Sequence, residues 1–452
     1  MKKLFEKWKN LDENNKIVVK HTLSAFLIKG IALIVSFLTT PAFIAYFNDD
    51  IVLGVWYTLL SVLFWFLNFD LGIGNGVRNN LVNDLSANDR ASAKKTISSG
   101  VFANLAVTLL LAVVGIIAVY TIDLNWLYNV EENVISSQTL LYSTLFVLAA
   151  VLVRFFLTTI NSIFYALQKS SVVNFLTLCV SVLQLVFVLI FRFESTDDAL
   201  FWLSFSYIFL SNLPVVIAAI WLFATSMKDC IPSLKHVDKP HVKAVMGIGT
   251  VFFICQILYM LIINTNDFLI TNLFGPQYTS EYNFYYKLTG LISMVVTLAL
   301  TPVWSVVTKA QAEGNYKWLK KLYNIIKIVG LAVIVLEFAF VPFLQWIFDI
   351  WLGNGKVVVD YMTALAFACF GSVFVYSSML STIVCGMAKM KVQTVCYVVG
   401  TIVKFAALYL LAPIVQSWTL VVWMNVLVLL PYCIAEHIHL DIRINKLCKM
   451  EE

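Results

Sequence analysis

The chain has 452 residues, 60% of them hydrophobic and only 13% charged, with a mean hydropathy of +0.86 and a formal net charge of +5. A soluble domain is usually about a quarter charged, so the composition excludes a soluble enzyme and describes a chain that threads a bilayer many times. The segments between apolar runs are short, which argues against a catalytic domain outside the membrane, and no nucleic-acid partner is expected.

A spanning helix needs about 20 apolar residues. About twelve runs qualify: 22–47, 51–75, 96–122, 139–167, 172–191, 200–224, 244–274, 282–308, 319–348, 357–386, 392–411 and 418–440. No cleavage signal accompanies the first run, which is expected to act as its own insertion signal. Lys29 lies inside that run, where its stem reaches only part of the way to the cytoplasmic surface. The second run ends in Gly72, Gly74 and Gly76, with Asp70 and Arg78 on either side. With no strand before them, these glycines are no dinucleotide fingerprint. They are expected to let the helix bend, or end close to another backbone. Arg78 is read either as a headgroup anchor or, with Asp70, as part of a cavity mouth.

Arg154 sits near the middle of the fourth run, where its planar fork suits a bidentate anion or a buried ion pair. The seventh run carries Asp267 with Asn264 and Asn266, and the eighth carries Lys287 among Tyr282, Tyr285 and Tyr286. Glu337 is deep in the ninth run; Lys327, two turns in, can snorkel. Lys404 is mid-run in the eleventh, and either faces a cavity or pairs with a neighbour. A cation at mid-bilayer costs roughly 2.5–3.5 kcal/mol on insertion scales. The expected use of Lys29, Arg154, Lys287 and Lys404 is therefore a cationic, water-filled cavity for an anionic cargo. Asp267 and Glu337 are the candidate sites for a coupling H⁺ or Na⁺, although Asp267 could equally neutralise Lys29 or Lys287. Asn264, Asn266, Asn283, Tyr285 and Tyr376 are candidate cavity liners.

Lys and Arg concentrate in alternate loops, with Arg192 and Lys356 on the other side, which predicts cytoplasmic termini. The eight cysteines form no CxxC pair and none falls in an outer loop, so neither a disulfide framework, a metal site nor a cofactor is expected.

Shifting the sequence by half its length brings Ala87 to Lys95 against Glu313 to Lys321, each a turn leading into paired lysines. Further along, Tyr165 to Lys169 faces Cys385 to Lys389, and Leu213-Pro214 faces Leu430-Pro431. The order of the three matches predicts a duplication into lobes 1–230 and 231–452. The expected fold is an all-α polytopic membrane protein with about 12 transmembrane helices in two six-helix parallel-repeat bundles around a central cavity.

The segment Leu53 to Tyr57, followed by Asn68 to Asn79, resembles the start of a polysaccharide flippase of the Wzx type. That family belongs to one superfamily with the multidrug and toxin extrusion proteins and the lipid II flippases. The resemblance implies a bacterial cytoplasmic-membrane protein that moves undecaprenyl-diphosphate-linked oligosaccharide to the outer leaflet for polysaccharide export. It implies alternating access, membrane lipid around the cargo, and a glycan polymerase as a candidate partner. The alternative is a cation-coupled multidrug and toxin extrusion antiporter, which shares the architecture and should have an acidic or apolar cavity. Because buried bases outnumber deeply buried acids, the sequence favours the anionic cargo.

Overall fold

The computed structural model describes residues 13–66, 73–167, 169–246, 250–387 and 389–451. Among them every regular element is a helix: α1 (Glu13–Phe47), α2 (Asp50–Phe64), α3 (Ile73–Ser86), α4 (Arg90–Thr121), α5 (Leu124–Tyr128), α6 (Ser137–Ala166), α7 (Ser170–Ile190), α8 (Thr196–Ala224), α9 (Lys239–Met246), α10 (Thr250–Ile263), α11 (Asn266–Phe274), α12 (Pro276–Glu313), α13 (Tyr316–Phe340), α14 (Leu344–Leu352), α15 (Tyr361–Gly386), α16 (Lys391–Val415) and α17 (Thr419–Glu451), with short 3₁₀ turns between some of them. Ten helical stretches among the described residues are long and apolar enough to cross a bilayer. The chain is an all-α polytopic membrane protein, and helix is the form that satisfies every backbone group within its own segment in hydrocarbon.

The described residues cluster into two compact units, one within Met1–Asp49, Phe69–Leu124 and Ile135–Ile248, the other within Asp50–Asn68, Asn125–Val134 and Gly249–Glu452. In the first unit α6 packs on α4 and α8, α1 packs on α7, and α3 lies against α4, α6 and α9. In the second, α12 is held by α2, α11 and α15, while α17 lies against α13, α15 and α16.

Two glycines set these contacts. A Cβ on Gly54 would stand 1.7 Å from the Pro276 carbonyl oxygen, so only glycine lets α2 meet the start of α12 this closely. A Cβ on Gly76 would stand 1.9 Å from the Val245 carbonyl oxygen of α9, which is the close backbone approach expected of the glycine-rich stretch.

The matched loops share their geometry residue for residue. Asn88 (φ 55°) and Gly314 (φ 71°) are both left-handed, and the Asp89 and Asn315 side chains cap the helices that follow by accepting from the amides of Ser92 and Trp318. At the second match the amides of Lys169 and Lys389 donate to the carbonyls of Phe164 (2.9 Å) and Val384 (3.1 Å). At the third, Pro214 and Pro431 each lie inside a helix, α8 and α17.

Three spans differ from their expected form. The second is divided into α2 and α3, and Asp70 lies outside the described residues. The seventh breaks between Ile263 and Asn266, and the ninth passes from α13 through a 3₁₀ turn at Pro342 into α14. Polar triplet Asn264-Thr265-Asn266 and a proline, respectively, mark the two interruptions.

Candidate functional site

The break in the seventh span is where polar chemistry concentrates in the second unit. A helix end exposes carbonyls that lack an intrahelical donor, and hydrocarbon supplies none. Side chains do so instead. The Asn264 carbonyl accepts from Ser61 Oγ at 3.0 Å and from Trp65 Nε1 at 2.8 Å. The Ile262 carbonyl accepts from Lys404 Nζ, which also donates to Asn266 Oδ1 at 2.7 Å. Asn266 Nδ2 in turn donates to Tyr282 Oη at 3.0 Å. Lys404 is thus fully buried, with its ammonium given over to the broken helix. One residue further, Asp267 Oδ1 accepts from Asn283 Nδ2 at 2.8 Å, and Asn283 is steadied by a second bond to the Thr279 carbonyl at 2.9 Å.

Beside this network lies a cavity of about 320 Å³ whose wall includes Tyr57, Trp65, Asn264, Asp267, Asn283 and Tyr286. Tyr282, also in the wall, stacks on Tyr286 with ring centroids 5.4 Å apart, and Trp65 meets Phe268 edge-on at 5.6 Å. Among the described residues Asp267 is the one ionisable side chain of the wall apart from the tyrosines, and no described lysine or arginine lines it. Lys287 is half-buried, with Nζ over the ring of Tyr57, 5.8 Å from its centroid. A carboxylate among aromatic faces attracts a cation through both the charge and the ring quadrupoles.

The remaining candidates are dispersed. Arg154, on α6 of the first unit, donates to the Ser211 carbonyl of α8 at 3.3 Å. Arg78, on α3, is exposed and lies over the Tyr165 ring at 5.4 Å. Lys29 is on α1, and its side chain lies outside the described residues. Glu337 is on α13 in the second unit, 1% exposed, against Gly371 of α15. Of the expected liners, Asn264 and Asn283 reach the cavity, whereas Tyr285 accepts from the Asp360 amide at 3.0 Å and Tyr376 bonds His437.

Two features had no place in the sequence reading. Trp65 and Tyr57 enter the wall because α2 packs on α11 and α12. In the C-terminal part of α17, Asp441 bonds Lys327 Nζ at 3.0 Å and His437 Nε2 at 3.2 Å. The expected end of the last span at residue 440 hid this cluster, although the pattern His437-Ile438-His439-Leu440-Asp441 was there to be read. Outside the spans, Asp360 caps α15 by accepting from Thr363 Oγ1 (2.6 Å) and the amides of Met362 (3.1 Å) and Thr363 (3.0 Å). Those donors, the Thr363 hydroxyl foremost, hold its carboxyl below the usual aspartate range.

No protein-family profile and no curated protein matches the chain. Solved structures do. An inward-facing multidrug resistance MATE family transporter of the MOP superfamily superposes with a TM-score of 0.72 at 14% identity, over 95% of this chain and 100% of that one. The fold is that of the MATE transporters. An outward-facing MATE family transporter gives a TM-score of 0.58 at 17% identity, over 94% and 96% of the two chains. A MOP superfamily transporter from Pyrococcus furiosus, described by the reversed polarity of its binding pocket and a different function suggested by it, gives 0.59 at 15%, over 92% and 96%.

These matches overturn the Wzx-type reading. The structures that share the fold are MATE family transporters, and the lipid-linked oligosaccharide cargo and the glycan-polymerase partner fall with the flippase. The reason is physical. Helix count and duplication belong to the shared architecture, and Gly54 within Leu53 to Tyr57 is explained by its close packing on Pro276. None of these features reports on cargo. The charge count misled in the same way, because Lys404 answers a carbonyl of the broken helix.

Proposed function

We propose that the chain is a cation-coupled exporter of small organic cations, of the multidrug and toxin extrusion kind, working by alternating access. The observation that carries this reading is the cavity beside the broken seventh span, walled by the Asp267 carboxylate and by the rings of Tyr57, Trp65, Tyr282 and Tyr286. A planar cation stacks on such rings while its charge faces the carboxylate. The likeness in fold to multidrug MATE transporters supports the same reading. The protein works in a bacterial cytoplasmic membrane with both termini inside, as its Lys and Arg distribution implies, and its lobes are the halves 1–230 and 231–452. H⁺ or Na⁺ drives the cycle through Asp267 or Glu337.

A second reading, export of a small organic anion, is favoured by one observation, the Lys287 ammonium over the ring of the wall residue Tyr57. Purified protein in liposomes, with an imposed pH or Na⁺ gradient, separates the two. Ethidium moving against its concentration gradient, with an anionic dye such as carboxyfluorescein left in place, supports the cation reading. Movement of the anionic dye alone replaces it with the second.

A further inference from the structure

Among the buried ionisable groups of the second unit, Glu337 stands apart. Its side chain is 1% exposed, and neither carboxyl oxygen has a hydrogen-bond partner among the described residues. Its close neighbour is Gly371, where even a Cβ would come within 2.7 Å of Oε1. We propose that Glu337 is a proton-binding site in the seam between α13 and α15, loaded in the conformation described here and emptied in another.

An ionised carboxylate without donor or counter-charge is not tolerated in hydrocarbon, so the group carries its proton here. The ligand is a proton rather than a metal ion. A hard cation takes a shell of several oxygens, and no cluster of three or more His, Cys, Asp or Glu side chains exists among the described residues.

The fold does not require an acid at this place. Sixteen residues after the paired lysines of the matched loops, Lys95 and Lys321, stand Leu111 and Glu337. Fourteen residues before the matched Tyr165 and Cys385 stand Val151 and Gly371. The first half therefore carries Leu and Val at the corresponding positions, whereas the second half has an acid and, against it, a glycine.

A polar chain lies on the same seam, two helical turns from the site. Lys327, Asp441, His437 and Tyr376 form a continuous polar chain, and the Tyr376 ring lies where a Cβ of Gly330 would be, 2.8 Å away. Gly330 is two turns of α13 from Glu337, about 10 Å by helix rise. The helices packed on α13 carry Tyr376 and Cys369 on α15, Glu436 and His437 on α17, and Lys287 on α12. None of these hydrogen-bonds the Glu337 carboxyl.

What the proton drives rests on the exporter reading; its presence does not. Infrared spectroscopy of the purified protein tests the site itself through the carbonyl stretch of a protonated, unbonded carboxylic acid. The band is expected in the wild type at neutral pH and absent from both Glu337→Gln and the paired Glu337→Leu/Gly371→Val variant, which places the first half's residues at the two positions. A wild type without the band, or a Glu337→Gln variant that retains it, overturns the proposal. Coupling is read in weakly buffered solution by adding ethidium and following proton release with a pH dye. Wild type should release protons, while Glu337→Gln should bind ethidium and release none; undiminished release from that variant overturns the coupling. If the wild type binds no ethidium, the exporter reading fails, and the infrared band still decides the site.

Discussion

Two buried ionisable residues of the second unit, Lys404 and Glu337, occupy similar surroundings by burial and opposite ones by chemistry. Lys404 is fully enclosed and donates to the Ile262 carbonyl and to Asn266 Oδ1. Glu337 is equally enclosed, and among the described residues no donor reaches either of its oxygens. The lesson is that depth in a membrane does not by itself assign function. A buried charge whose bonds are complete is explained by the structure it completes, whereas one without them calls for a ligand from outside the chain.

The comparison breaks most visibly if both residues are made apolar. Lys404→Met leaves two buried acceptors without a donor and should cost about 2–4 kcal/mol, seen as a lower midpoint in thermal unfolding of the purified protein. Glu337→Leu with Gly371→Val removes an unanswered polar group and should leave the midpoint unchanged or raise it, by up to about 2 kcal/mol. A similar loss in both would erase the distinction between the two sites. Next in size, Gly54→Val drives a side chain into the Pro276 carbonyl and should cost about 1–3 kcal/mol or more. It also displaces α2, so ethidium binding should weaken with it.

Sequence patterns located most of the helices and the matching loop geometry, because apolar runs and caps are local signals. Asp89 and Asn315 could be matched from residue type alone, and their capping bonds follow from that. The site was less legible. Within the run 244–274, Asn264 and Asn266 read as cavity lining and not as a break at Ile263, so the carbonyls exposed there, and the partner of Lys404, were not foreseen. Asp267 and Glu337 were found because a carboxylate inside a span is rare. Their difference lay in partners from distant segments, Asn283 for one and none for the other.

Smaller effects sharpen the picture. Asp360→Ala should cost about 1 kcal/mol through loss of the α15 cap. Because the donors hold this carboxyl below its unfolded value, its contribution is present above the ordinary aspartate pKa of about 4 and fades as pH falls through the lower folded value. The difference between wild type and Asp360→Ala in unfolding should therefore shrink in acid and stay constant from neutral pH upward.

The central claim is that the Asp267 cavity binds a cation, and equilibrium binding of ethidium to purified wild type and Asp267→Asn tests it most directly. Asparagine keeps the size and a hydrogen-bonding oxygen for Asn283 while removing the charge. The account predicts saturable binding in the wild type, weakened about tenfold or more by the substitution, a loss of at least about 1.4 kcal/mol, with an unchanged unfolding midpoint. Equal affinity in the two proteins, or a wild type that binds an anionic dye in place of ethidium, would contradict it.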